Sequence, residues 1–477
     1  LFIFLSSEAD YGYFFDIGDR GEVDKMQVVI IGDGKVGHKL TMELSEEDYD
    51  IVLIDQNEGK LRETVNDLDV AYIAGDGIDA NVQRQADVPN SDLVVACTSS
   101  DELNMLCCLI ARRLGARHTI ARVRNPVYYR QIDLLREDLH LSMVVNPELI
   151  LAGAIARLLI IPDASKVETF MKERVDLVEF TLRPGHSLAG LALKEIYRKT
   201  QIKILVCAVV RGTEVFIPSG EFVLQAGDKL HIAAPHAQME EFFHKHGSHK
   251  HKVKTVLVCG GGRVSYYLAR QLEAIGMQVK IIEQDLPKCE QLCSLLPKAT
   301  IIHGDAADQE LLQEEGVDHA DALVALTGMD ETNIIMGLFA KTRGVDKIIV
   351  KVNEDARAQM VEGLGIDSIV SAKAVTADAI VSYVRARQNS LKHANVETMY
   401  QLVGGKVEAL EFIIKGETKY TNIPLKDLPI KPNNLVACIG RKRQIIIPGG
   451  DDTMKVGDSV IVVSMGRKIQ DIESIFE

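Results

Sequence analysis

The run Val28-Val29-Ile30-Ile31-Gly32-Asp33-Gly34-Lys35-Val36-Gly37 decides the fold. Four apolar residues lead directly into a Gly-x-Gly-x-x-Gly turn. Unbroken apolarity fits a strand covered on both faces, because a strand with one wet face alternates. A second apolar run, Ile51-Val52-Leu53-Ile54, ends on an acid, Asp55. The same text returns as Val256-Leu257-Val258-Cys259-Gly260-Gly261-Gly262-Arg263-Val264-Ser265, followed by Val279-Lys280-Ile281-Ile282-Glu283. Gly260 lies 228 residues after Gly32, and Glu283 lies 228 after Asp55. Glycines and acid are therefore copied together. After a one-residue insertion, Asp92-Leu93-Val94-Val95-Ala96-Cys97-Thr98 meets Asp321-Ala322-Leu323-Val324-Ala325-Leu326-Thr327, and Asn104 meets Asn333.

Working outward, short apolar runs at 28–31, 51–54, 70–74, 93–97, 119–123 and 143–145 alternate with helical candidates at 36–44, 102–114 and 128–137. The second lobe has runs at 256–259, 279–282, 300–302, 322–326, 348–352 and 368–370. Buried strands alternating with helices predict a parallel doubly wound sheet. A smaller β-rich piece follows each lobe. One carries Ile217-Pro218-Ser219-Gly220 and Ala226-Gly227-Asp228, the other Ile447-Pro448-Gly449-Gly450 and Val456-Gly457-Asp458. Gly-Asp before an apolar run is turn chemistry that starts a strand. The predicted fold class is α/β: two doubly wound, Rossmann-like parallel-sheet lobes, each followed by a small α+β domain.

The chain has 477 residues, 47% hydrophobic and 26% charged, enough for several cores. A net charge of −14 argues against a phosphate-tracking nucleic-acid surface. It does not exclude a small anion held by backbone N–H groups. No segment reaches the ~18 apolar residues of a membrane span. Leu1-Phe2-Ile3-Phe4-Leu5 is too short and lacks the basic flank of a signal peptide. Residues 1–25 read as a non-native or disordered extension ahead of a start at Met26. The eight cysteines show no zinc spacing and read as buried, reduced thiols. Cys289 and Cys293 fall four apart on one helix face. His244-Lys245-His246-Gly247-Ser248-His249-Lys250-His251 reads as a hydrated polar linker rather than a metal site.

The glycine pattern has a physical meaning. The first glycine makes the tight turn, the second lets backbone approach a pyrophosphate, and the third lets helix and strand pack closely. Unpaired N–H groups and the helix dipole then hold the anion. Gly32, Gly34 and Gly37 take these places in the first lobe, and Asp55 stands where an acid takes adenosine ribose hydroxyls, which favours NAD over NADP. The second lobe keeps Gly260 and Gly262, puts Ser265 at the third place with a slightly displaced helix expected, and lengthens the acid to Glu283. Lys35 and Arg263 occupy one position in the two turns, either neutralising a phosphate or simply solvated.

With these residues the chain resembles the TrkA family, the cytosolic regulators of bacterial Trk potassium uptake systems, built from tandem RCK (regulator of K⁺ conductance) units. The most specific pieces are Gly32-Asp33-Gly34-Lys35-Val36-Gly37, Gly75-Asp76-Gly77, Thr98-Ser99-Ser100-Asp101-Glu102-Leu103-Asn104 and Ala121-Arg122-Val123. The resemblance implies domains at 26–145 (first Rossmann lobe), 146–165 (crossover helix and linker), 166–246 (first RCK C-terminal domain), 247–252 (linker), 253–371 (second Rossmann lobe), 372–394 (crossover helix) and 395–477 (second C-terminal domain). It implies binding of NAD(H), with ATP or ADP as further candidates. Gly32, Asp33, Gly34, Lys35 and Val36 would lie on the pyrophosphate, Asp55 on the ribose, Asp76 near the adenosine, Thr98 and Ser99 at the fourth-strand end, and Arg122 beside the ligand. Their second-lobe counterparts are Gly260, Gly261, Gly262, Arg263, Val264, Glu283, Asp305, Thr327 and Lys351, with Gly328 in place of Ser99. It further implies no enzymatic activity, a cytoplasmic homotetramer ring peripheral to the inner membrane face, and a TrkH/TrkG-type membrane partner. A regulator of another cation transporter and an NAD-dependent dehydrogenase are the competing readings. The helix at 147–159, apolar almost all round, suits either lobe-to-lobe packing or burial inside one domain.

Overall fold

The computed structural model describes residues 25–47, 49–247, 252–361, 364–391, 396–403, 405–466, 469 and 471–477. The expected extension therefore lies outside the described residues except for Lys25, as do His249 and His251 of the histidine run. The chain forms two compact units, one ending at Asn146 and one starting at Pro147.

The first unit runs β1 (Met26–Ile31), α1 (Lys35–Ser45), β2 (Tyr49–Asp55), α2 (Glu58–Asp67), β3 (Ala71–Ala74), α3 (Ala80–Gln85), β4 (Leu93–Ala96), α4 (Asp101–Leu114), β5 (His118–Arg122), α5 (Pro126–Arg130), α6 (Ile132–Asp138) and β6 (Met143–Val145). The strands lie in the order β3-β2-β1-β4-β5-β6, all parallel. Val28, Val29, Ile30 and Ile31 are buried without alternation, as a sheet covered on both faces requires. The chain reverses direction across the sheet between β1 and β4, which opens a crevice at their C-terminal ends. One expectation is corrected. The helix expected over 128–137 is two short helices, because Asn125 caps α5 ahead of Pro126 and a tight bond from Gln131 N to Tyr128 O (3.0 Å) interrupts the ladder.

The second unit opens with α7 (Pro147–Ile160), then β7 (Lys166–Phe170), β8 (Val175–Thr181), α8 (Leu193–Thr200), β9 (Leu205–Arg211), β10 (Glu214–Phe216), β11 (Lys229–Pro235) and α9 (His236–His246). A second Rossmann lobe follows: β12 (Thr255–Cys259), α10 (Arg263–Ala274), β13 (Gln278–Glu283), α11 (Leu286–Leu295), β14 (Thr300–His303), α12 (Gln309–Glu314), β15 (Ala322–Ala325), α13 (Asp330–Thr342), β16 (Lys347–Lys351), α14 (Asp355–Val361) and β17 (Ser368–Val370). Its order, β14-β13-β12-β15-β16-β17, repeats that of the first. Helix α15 (Ala372–Leu391) leads to β18 (Val396–Leu402), β19 (Val407–Ile413), β20 (Asn434–Arg441), β21 (Gln444–Ile446) and β22 (Ser459–Met465).

The two small sheets, β10-β9-β11-β8-β7 and β18-β19-β22-β20-β21, share one topology. They bury one face against each other, with Phe170, Leu177, Cys207 and Ala208 meeting Val407, Ala409, Ala437 and Ile461. In each, Gly-Asp does more than turn the chain. Asp228 receives a two-pronged ion pair from Arg211 (2.7 and 2.7 Å), and Asp458 receives one from Arg441 (2.9 and 2.7 Å). Burial works against the Asp228 charge, but the Arg211 bonds hold its carboxyl below the ordinary range.

Helix α7 packs on α10 and α15, burying Leu151, Ile155, Leu158 and Leu159. Each such side chain contributes about 1.5–3 kcal/mol, so the helix is committed to the second Rossmann lobe. His244 and His246 lie on α9, not in a linker: Phe242 and Phe243 of that helix pack edge-on against Phe180 and carry it through His246. Seven cysteines are buried, but Cys293 is exposed, one turn beyond buried Cys289 and near the end of α11.

Candidate functional site

Both glycine turns sit at the C-terminal ends of their central strands. Gly32 has φ of +103° and Gly260 of +100°, the left-handed region that glycine adopts without cost. Each turn ends on a glycine N-cap, Gly34 for α1 and Gly262 for α10. Neither helix has a side-chain cap or an acid in its first turn. Their first N–H groups and the positive end of the dipole are thus left for another acceptor. A Cβ on Gly34 or on Gly262 would meet nothing within 4 Å, so the backbone borders open space. That is the geometry of an anion cradle. Lys35 and Arg263 are exposed on the first helical turns, while Val36 and Val264 face inward.

The two acids close their loops in one manner. Asp55 Oδ2 accepts from Asp33 N (2.7 Å) and Oδ1 from Asn57 N (2.9 Å). Glu283 Oε2 accepts from Gly261 N (2.7 Å) and Oε1 from Asp285 N (2.9 Å). The longer acid fits because Gly261 has no side chain: a Cβ there would stand 2.9 Å from Glu283 Cβ. Asp55 is half-buried and Glu283 buried.

The third position differs between lobes. A Cβ on Gly37 would fall 1.9 Å from Gly32 O. In the second lobe Ser265 has that Cβ, and its buried hydroxyl donates to Gly260 O. The loop-to-helix contact is therefore wider there. Beside the first turn, Cys97 Sγ donates to Gly32 O (3.3 Å), and burial pushes the thiol up to about 12, so it stays an inert packing group.

The fourth-strand ends are clamped by residues whose role the sequence reading missed. Buried Asn104 accepts from Thr98 N and Thr98 Oγ1 (both 2.7 Å) and donates to Arg122 O (2.9 Å). Asn333 repeats this with Thr327 N (2.9 Å), Thr327 Oγ1 (2.7 Å) and Lys351 O (2.9 Å). The matched Thr-to-Asn spacing in both lobes was the signal. Asp101 and Asp330 likewise hold the turns after β5 and β16, each accepting two consecutive N–H groups. Asn104→Ala is expected to cost about 1–2 kcal/mol by orphaning buried groups, read as a lower urea midpoint.

Arg122 donates to Thr98 O, and Lys351 Nζ to Leu326 O (3.2 Å), so both bases turn toward the fourth-strand end. Ser99 and Gly328 are exposed beside them. At the third-strand ends Asp76 accepts from Ile78 N (3.1 Å) and Asp305 from Ala307 N (2.9 Å), closing turns. Gly75 N and Gly304 N donate to Asp55 O (2.9 Å) and Glu283 O (3.0 Å), which seats each turn next to its acid. The expected residues of each lobe thus lie at or just after the C-terminal ends of its parallel strands. Among the described residues no cluster of three His, Cys, Asp or Glu side chains could hold a metal, and no helix is long and apolar enough to cross a membrane.

The family profile described as TrkA-N domain matches residues 28–147 and 256–372, and that described as TrkA-C domain matches 177–247. A Trk system potassium uptake protein TrkA homolog of Archaeoglobus fulgidus is 31% identical over 451 residues, 94% of this chain and 100% of the relative. The Trk system potassium uptake protein TrkA of Halomonas elongata is 30% identical over 459 residues, 95% and 99% of the two chains. The fold is shared with the GsuK channel bound to NAD, at a TM-score of 0.62 and 18% identity over 93% of this chain and 78% of that one.

Proposed function

We propose that this chain, which belongs to the TrkA family, is the nucleotide-sensing regulatory subunit of a Trk-type potassium uptake system rather than an enzyme. The observation that carries this is the doubled crevice, in which an uncapped helix N-terminus and a strand-end acid converge on one glycine turn. Gly32 to Val36 and Gly260 to Val264 offer the N–H groups for a pyrophosphate. Asp55 and Glu283 take ribose hydroxyls. Thr98, Ser99, Arg122 and Asp76 border the first ligand, and Thr327, Lys351 and Asp305 the second. NAD(H) fits both sites, and ATP or ADP is the further candidate class. A bound nucleotide supplies negative charge and bulk to each crevice, and the residues around it adjust. The partner is a membrane potassium-transporting subunit of TrkH/TrkG type, contacted from the cytoplasm by a homotetramer.

Driving a gate from mostly closed to mostly open takes about 5.5 kcal/mol of differential binding, which eight lobes share at roughly 0.7 kcal/mol each. Modest preference at each site suffices. Calorimetric titration with NAD⁺, NADH, ATP and ADP tests the reading. Asp55→Ala and Glu283→Ala are each expected to weaken one site by about tenfold to a hundredfold, the loss of a hydrogen bond to a charged group. A wild-type chain that binds none of the four nucleotides ends the proposal.

A further inference from the structure

We propose that Asp33, Thr64 and His38 form a proton-linked bracket beneath the first glycine loop, so that nucleotide binding takes up a proton in the first lobe and none in the second. This rests on the reading that the glycine loops hold nucleotide.

Asp33 lies inside the Gly-x-Gly turn, yet its carboxylate is fully buried. Oδ2 accepts from Thr64 Oγ1 (2.8 Å). Oδ1 is buried with no hydrogen-bond partner and lies 3.7 Å from His38 Nδ1. His38 Nδ1 is also 3.1 Å from Thr64 Oγ1. The threonine hydrogen goes to the carboxylate, so the hydroxyl accepts from the imidazole N–H. The chain runs from His38 through Thr64 to Asp33, and the His38 side chain is 42% exposed. A buried acid is thus connected to water through a hydroxyl and an imidazole.

The groups facing Asp33 come from four places: His38 on α1, Lys60 and Thr64 on α2, Asp55 at the end of β2 and Cys97 after β4. Burial pushes the Asp33 carboxyl up. The Thr64 bond, Lys60 and His38 pull it back, and Asp55 pushes it further up. Gly34, the N-cap that opens the anion cradle, is the next residue. A phosphate held there adds negative charge beside this acid, which favours protonated Asp33. Binding therefore draws a proton in, and affinity rises as pH falls.

The second lobe has no such chain. Gly261, Tyr266 and Leu292 hold the positions of Asp33, His38 and Thr64, and Leu292 Cδ1 lies 2.7 Å from where a Gly261 Cβ would be, filling the space of the missing carboxylate.

The test is NAD⁺ calorimetry on the full chain, in two buffers of different ionisation enthalpy at each of about pH 6 and about pH 8. Glu283→Ala reports the first site and Asp55→Ala the second. The Glu283→Ala chain is expected to take up a fraction of a proton and to bind about threefold to tenfold tighter at the lower pH. Adding Asp33→Asn removes both effects from whatever affinity remains. His38→Gln, at a half-exposed position, at least halves the pH dependence and covers the case in which the Asp33 variant does not fold. The Asp55→Ala chain shows no uptake. A first site that binds NAD⁺ without proton uptake, keeps the uptake after Asp33→Asn, or keeps more than half of its pH dependence after His38→Gln overturns the linkage and leaves the nucleotide reading standing. No binding by the wild-type chain overturns both.

Discussion

Gly37→Ala is expected to lower nucleotide affinity in the first lobe by about a hundredfold or more and to destabilise that lobe by about 3 kcal/mol, at the upper end of core overpacking. The new methyl would stand 1.9 Å from Gly32 O and 3.0 Å from Cys97 Sγ. The first contact is backbone, and the carbonyl belongs to a residue held at positive φ. It cannot swing aside without opening the turn. Helix α1 must instead retreat from β1, and its N-terminal N–H groups retreat with it. Ser265→Ala, at the matched position, is expected to cost only about 1 kcal/mol, one hydroxyl hydrogen bond. Here α10 already stands far enough from its loop for a buried side chain whose hydroxyl reaches Gly260 O. Urea denaturation and calorimetry in the Glu283→Ala background read both effects. Parent-like affinity in Gly37→Ala would mean that the α1 N-terminus does not hold the ligand.

That contrast marks where the sequence stops being readable. The lobes were legible because their signals are local and written twice: an unbroken apolar run, glycines at fixed offsets, an acid closing the next run. A single copy could be chance, but one offset of 228 residues shared by turn and acid could not. The small domains were legible as turn chemistry, Gly227-Asp228 and Gly457-Asp458, but not as ion pairs. The arginines lie 17 residues upstream, and only the hairpin brings them to the acid. The Asp33 to Thr64 bond spans 31 residues between the glycine turn and α2, and nothing local marks a threonine on a helix as the partner of a buried acid. His244 and His246 look like linker because they are polar. They are helical because two phenylalanines on the preceding turn reach Phe180. In each case a tertiary contact overrides composition.

Lys347→Met is expected to destabilise the second unit by about 2–4 kcal/mol near neutral pH, from the buried acceptors it strands. Lys347 begins β16 and is fully buried. Its amine donates to Pro162 O (3.0 Å), Ala164 O (2.7 Å) and Ser368 Oγ (3.0 Å). The two carbonyls belong to the turn that joins α7 to β7, and methionine offers them no donor. The pH dependence has a definite sign. Burial pushes the amine down to about 8, against the upward pull of Asp367 and Asp163. The folded chain therefore holds this proton less tightly than the unfolded chain does. Below about pH 8 the full cost of burying the charge is in force. As pH rises from there toward the ordinary lysine value, wild type gains on the order of 3 kcal/mol over the methionine variant. Urea midpoints of both proteins across that range read the widening gap, and a constant gap would show the amine already neutral or still solvated. The consequence reaches beyond stability. The other end of β16 is Lys351, whose carbonyl Asn333 holds beside the second crevice (2.9 Å). One five-residue strand thus runs from the second glycine site to the turn that launches the first small sheet. The Lys347 end of that strand is pinned to the turn by its bonds to the Pro162 and Ala164 carbonyls.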